Sequence, residues 1–111
     1  MAEGDRKTVL IVEDDVNMLD SLKERIERQG YKVTPVFYRS PQTILPKERF
    51  DCLIVDGLAG KHMEVIEKTN AERVIVYSAC GIAVSAAKDR GQIGIRKGED
   101  DSLKKVLEAI V

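Results

Sequence analysis

Two apolar runs in this sequence end in acid: Val9-Leu10-Ile11-Val12 leads into Glu13-Asp14-Asp15, and Cys52-Leu53-Ile54-Val55 leads into Asp56. Two carboxylates about 4 Å apart repel by roughly 4 kcal/mol at an effective dielectric near 20, so a cluster of them requires a cation, a shared proton or a basic partner. Carboxylate oxygens with room for water suit a small hard cation. Magnesium fits best, because it accepts few protein ligands and keeps its waters. The positions left open on such an ion can be filled by phosphoryl oxygens. Two more residues at the ends of apolar runs complete the set: Ser78, after Val74-Ile75-Val76-Tyr77, and Lys97, after Ile93-Gly94-Ile95-Arg96. The first offers a hydroxyl donor and the second an ammonium. Asp56, alone at its strand tip, is placed as nucleophile. Its attack on a phosphodonor gives an aspartyl phosphate, which position and electrostatics can support without a general base.

These residues can meet only if the runs that carry them lie side by side. Val9 to Val12 has no polar alternation, which is the pattern of a strand covered on both faces in a parallel sheet. Asp15 then caps a helix with Leu19, Leu22 and Ile26 at helical spacing and Gly30 as its stop, so Asp15 is a cap rather than a ligand. Tyr31 to Phe37 is a second strand, placed at a sheet edge because Pro35 cannot donate a ladder hydrogen bond. Ser40-Pro41 starts a second helix that Pro46 keeps short or irregular. Phe50 to Val55 is the third strand, Lys61 to Thr69 a modest helix, Val74 to Ser78 the fourth strand and Ile82 to Arg90 a further helix. Ile93 to Arg96 is a brief fifth strand. A closing helix follows, capped by Asp100 or Asp101 and lined by Leu103, Val106, Leu107 and Ile110. Alternating strands and helices predict a doubly wound α/β fold with a parallel sheet, whose ligands bind outside the carboxyl ends of the strands.

At 111 residues the chain has the size of one domain, here residues 7–111, with a polar and frayed segment over residues 1–6. The net charge of −1 and the mixed charge pattern give no sign of nucleic-acid or membrane binding. The start of the chain lacks the apolar core of a signal peptide, and no apolar run reaches membrane-spanning length, so a cytoplasmic protein is expected. Cys52 and Cys80 have neither CxxC spacing nor histidine company and are expected to be buried free thiols. His62, the sole histidine, is expected at the surface.

Taken together, Glu13-Asp14, Asp56, Ser78 and Lys97 resemble the acidic pair, phosphoacceptor, hydroxyl and lysine of the receiver domain of bacterial two-component response regulators. The resemblance runs from Lys7 to Val111. It implies a five-stranded sheet in the order 2-1-3-4-5 and Mg2+ held by Glu13, Asp14, Asp56 and the backbone carbonyl of Leu58. It also implies that Asp56, Ser78 and Lys97 carry the phosphoryl chemistry. The phosphoryl group would come from a histidine kinase or phosphotransfer protein, and its arrival would change the binding of a downstream protein. Such a protein is not an enzyme beyond its own phosphorylation and slow dephosphorylation. The sequence departs from the family in three ways. Gly98 follows the lysine where a cis proline is usual, Gly94 and Ile95 stand where the fifth strand usually carries an aromatic, and the stretches from Asp56 to Ser78 and from Ser78 to Lys97 are short. These departures raise an alternative, a degenerate receiver acting as a phosphorylation-independent interaction module. A Toprim-like phosphoryl enzyme would need a second acid in Asp56-Gly57-Leu58, and a flavin module would need a phosphate-cradling loop after the first strand.

Overall fold

The computed structural model describes residues 7–110, apart from the side chain of Ala59. The polar segment over residues 1–6 therefore lies outside the described residues, as does Val111. Five parallel strands form one sheet in the order β2-β1-β3-β4-β5: β1 (Thr8–Glu13), β2 (Lys32–Phe37), β3 (Arg49–Val55), β4 (Asn70–Ser78) and β5 (Ile93–Arg96). This is the doubly wound sheet expected from the alternation of strands and helices, in the strand order that the resemblance implies. Val9 to Val12 and Leu53 to Val55 are essentially inaccessible to solvent, as strands covered on both faces must be. Pro35 lies on the edge strand β2, whose sheet partner is β1.

Side chains alternate across each strand, and the alternation sorts them into two cores. Val9, Ile11, Cys52, Ile54, Ile75, Tyr77 and Ile95 pack under α1 (Val16–Arg28) and α4 (Ser102–Ile110). Leu10, Val12, Leu53, Val55 and Val76 face the opposite way, toward α2 (His62–Lys68) and α3 (Gly81–Asp89). Helix α1 forms as the sequence predicts. Asp15 accepts hydrogen bonds from the backbone N–H groups of Asn17 and Met18, and Leu19, Leu22 and Ile26 are buried.

Between β2 and β3 there is a turn rather than a short helix. Ser40 O accepts from Thr43 N at 3.0 Å, and Thr43 Oγ1 accepts from the backbone of Arg39 and Ser40. Prolines at 41 and 46 leave no room for a helical ladder between them. The next helix is trimmed too: a 3-10 turn over Leu58–Gly60 precedes the seven residues of α2.

Helix α3 lies so close to β5 that a Cβ placed on Gly94 would come within 2.5 Å of the Val84 carbonyl oxygen. Glycine is what allows the approach, and its place is near the one where receiver domains usually carry an aromatic. Before α4, the carbonyl of Asp101 accepts from Lys105 N at 2.9 Å, at the point where the sequence places the cap.

Candidate functional site

The register of the sheet brings the acids together. Val12 pairs with Val55, so the residues that follow them, Glu13 and Asp56, leave the sheet side by side. The Asp56 N–H donates to Val12 O at 3.0 Å and pins the junction. Strand parity then decides direction: Glu13 continues the face of Val9 and Ile11, Asp56 that of Cys52 and Ile54, and Lys97 that of Ile93 and Ile95. All three emerge above the α1/α4 core. There Lys97 Nζ donates to Glu13 Oε1 at 2.8 Å and to Asp56 Oδ1 at 2.7 Å, linking β5 to β1 and β3 across the width of the sheet.

Asp14 completes the cluster. One carboxylate oxygen from each of Glu13, Asp14 and Asp56 lies within 4.8 Å of the others, and the three could hold a metal ion. Glu13 is only 2% exposed. Burial, with a further push from the Asp56 charge against the pull of Lys97, raises its pKa to about 7. Burial and the Asp56 charge raise Asp14 as well. Lys97 is pulled down by its own burial, but its hydrogen bonds to Asp56 and Glu13 more than reverse this and hold its pKa above the ordinary lysine value. Three acids facing one ammonium leave an excess of negative charge, which a cation or a proton must offset.

Gly98 does not disturb the lysine. It turns the chain at φ +83°, and Lys97 N still donates to Ser78 O at 2.9 Å, in line with the β4/β5 ladder. The second oxygen of Asp56, Oδ2, accepts from Leu58 N at 3.0 Å. Leu58 thus reaches the site through its N–H, while its carbonyl, the atom implied as a metal ligand, accepts from Lys61 N at 3.0 Å. Ser78 follows the opposite parity, that of Val76. It is buried on the α2/α3 side, where its Oγ accepts from Cys80 N at 3.0 Å, and it lines a hollow together with Asp56.

Two expectations fail. His62 is not at the surface: it is 6% exposed, because the 3-10 turn brings the start of α2 under the loop after Asp56, and its Nδ1 lies 3.0 Å from Gly57 O. Cys80 is not buried; it occupies the N-cap position of α3 where the chain leaves the sheet, and its thiol is exposed. Cys52 is buried as expected, and burial pushes its thiol up to about 12.

Tyr77 packs beside the site. Its ring centroid lies 5.6 Å from Lys97 Nζ, and its hydroxyl lies 3.1 Å from Ser102 Oγ at the start of α4.

The whole fold is similar to solved structures of one kind. A response regulator from Thermotoga maritima, TrrA, in complex with Mg2+-BeF is 19% identical and aligns over 95% of this chain and 99% of its own, with a TM-score of 0.61. This is the receiver fold. A second response regulator from Thermotoga maritima, 22% identical, aligns over 95% of this chain and 98% of its own at a TM-score of 0.62. A response regulator from Burkholderia pseudomallei with a phosphorylated aspartic acid, calcium ion and citrate is 19% identical and aligns over 95% of this chain and 66% of its own at 0.64. No protein-family model and no curated protein matches the sequence. Among the described residues no helix is long and apolar enough to cross a membrane.

Proposed function

We propose that this chain is a phosphoacceptor receiver. In this reading Asp56 takes a phosphoryl group from a histidine kinase or phosphotransfer protein in a Mg2+-dependent reaction, and its modification switches binding of a downstream protein. The observation that carries the reading is the placement of Lys97 Nζ at 2.8 and 2.7 Å from Glu13 and Asp56, beside the three-carboxylate cluster. The solved structures with Mg2+-BeF and with a phosphorylated aspartic acid support it by analogy of fold.

The donor set fits a hard cation, being all oxygen and partly open to water. Glu13, Asp14 and Asp56 would hold Mg2+, with the Leu58 carbonyl as the implied further ligand; the ion would neutralise charge on phosphoryl oxygens. The chain's own residues do the rest. Lys97 and the Leu58 N–H fix both oxygens of Asp56, so its carboxylate is oriented before the donor arrives. An Asp56 oxygen attacks phosphorus as the phosphorus–nitrogen bond of a phosphohistidine breaks. The bonding pair leaves with the imidazole nitrogen. Lys97 offsets the charge of the transferred group, and the Ser78 hydroxyl donates to one of its oxygens. The chain turns over nothing beyond its own aspartyl phosphate, and the reading implies a cytoplasmic setting.

One observation favours the second reading, a phosphorylation-independent interaction module. Gly94 is packed against the Val84 carbonyl, and β5 has no ring that could rotate inward on activation. Incubation with acetyl phosphate, followed by intact-mass measurement, separates the two. The first reading predicts a gain of one phosphoryl group with Mg2+, abolished by chelation and by Asp56→Asn. An unchanged wild-type mass sinks it and leaves the interaction module.

A further inference from the structure

A lysine ammonium sits at the end of a long flexible stem, and holding it in one place costs much of that stem's rotamer freedom. Three groups hold the ammonium of Lys97. Glu13 Oε1 and Asp56 Oδ1 accept from Nζ at 2.8 and 2.7 Å, and the Tyr77 ring centroid lies 5.6 Å away. A cation within about 6 Å of an aromatic face is attracted by the ring quadrupole, more strongly when both partners are withdrawn from water. That condition is met here: the Lys97 side chain is 14% exposed and Tyr77 4%.

The three differ in what the chemistry would do to them. On the receiver reading, on which this inference rests, Glu13 turns to the metal and Asp56 is itself converted to the acyl phosphate. Tyr77 is changed by neither event. It is also firmly seated. It pairs with Ile95 in the β4/β5 ladder, its ring belongs to the core under α1 and α4, and its hydroxyl lies 3.1 Å from the buried Ser102 Oγ at the start of α4. The turn from Lys97 to Ser102 takes left-handed backbone at Gly98, φ +83°, and at Asp101, φ +62°. One side chain thus braces both ends of that turn.

We infer that Tyr77 is a positioning residue for the phosphoryl chemistry: its ring face holds the Lys97 ammonium against the acidic cluster while metal and phosphoryl group arrive, and its hydroxyl anchors the ring to α4. It acts through Lys97 and not on the reacting atoms.

The test alters the charge distribution of the ring and keeps its shape. Tyr77→Phe retains an electron-rich face, whereas pentafluorophenylalanine at the same position is closely matched in shape but lacks the negative face that attracts a cation. Modification of Asp56 by acetyl phosphate, which releases acetate as the phosphoryl group moves, is followed by intact mass at saturating Mg2+. The expected rate is within about twofold of wild type for Tyr77→Phe and about three- to tenfold lower with the pentafluoro ring, the scale of one partly buried cation–π contact. Urea denaturation without Mg2+ supplies a readout independent of phosphorylation. Exchanging the phenyl for the pentafluorophenyl ring should lower the folding equilibrium constant about three- to tenfold more in the protein with Lys97 than in Lys97→Met. If the wild type is phosphorylated, equal rates for the two rings or equal losses with and without Lys97 overturn the inference and leave the receiver reading standing. A wild type that takes up no phosphoryl group overturns the receiver reading, and the positioning role with it, whatever denaturation shows. Should Lys97→Met fail to fold, the ratio of rates decides.

Discussion

Replacing Glu13 by glutamine removes a titration that the fold itself creates. Glu13 is 2% exposed and has its pKa raised from 4.5 to about 7 by burial and the neighbouring Asp56 charge, against the pull of Lys97. A carboxyl whose folded pKa lies above its unfolded value holds its proton more tightly in the folded state. Its stabilising contribution is therefore complete below the unfolded value and is lost as pH rises through the folded one. At 1.36 kcal/mol per unit, the shift corresponds to about 3 kcal/mol, most of it lost between about pH 5 and pH 8. The substituted amide would still accept from Lys97 through its carbonyl oxygen and carries no charge, so Glu13→Gln should lack this loss. Urea denaturation in the presence of a chelator, at several pH values across that window, measures it. The difference between wild type and variant reports the loss of the Glu13 titration together with its coupling to Asp56, Asp14 and Lys97, while more distant groups are common to both. The reasoning predicts that the variant gains on the wild type by about 2 to 3 kcal/mol from pH 5 to pH 8. Parallel stability curves, or a wild type that gains on the variant as pH rises, would refute the assigned burial and charge balance.

Asp14→Ala should weaken Mg2+ binding by at least about tenfold, as expected for loss of a direct carboxylate ligand, whereas Asp15→Ala should cost about 1 kcal/mol of stability through loss of the α1 cap. Calorimetry and denaturation on both variants check this, and equal losses of Mg2+ affinity would count against the assignment. Gly94→Ala should destabilise the protein by about 1 to 3 kcal/mol, because its Cβ meets backbone rather than a movable side chain; an unchanged melting temperature would contradict the close α3/β5 approach. With a thiol reagent near neutral pH, Cys80 should react in the native state. Cys52, whose thiol is pushed up to about 12 by burial, should react only on unfolding.

Much of this architecture was legible because it depends on local patterns. The uninterrupted runs at Val9 and Leu53 announced strands covered on both faces, Asp15 and Gly30 bounded α1, and Pro35 put β2 at an edge. The acids could be placed together because they follow directly on those runs. The two exceptions are single residues whose burial depends on distant packing. His62 is covered by a 3-10 turn that forms only when the loop after Asp56 folds back, and Cys80 is exposed because the chain has already left the sheet. The turn at Ser40 was half visible: the prolines limited a helix, but nothing local showed that Thr43 would close the segment through its hydroxyl.

A crystal structure with Mg2+ and beryllofluoride addresses the phosphoacceptor assignment most directly. The account predicts fluoroberyllate bonded to an Asp56 oxygen, Ser78 Oγ and Lys97 Nζ turned toward its fluorines, and Mg2+ on Glu13, Asp14 and Asp56. Beryllofluoride absent from Asp56 at saturating concentrations, with Lys97 still bridging Glu13 and Asp56, would contradict it.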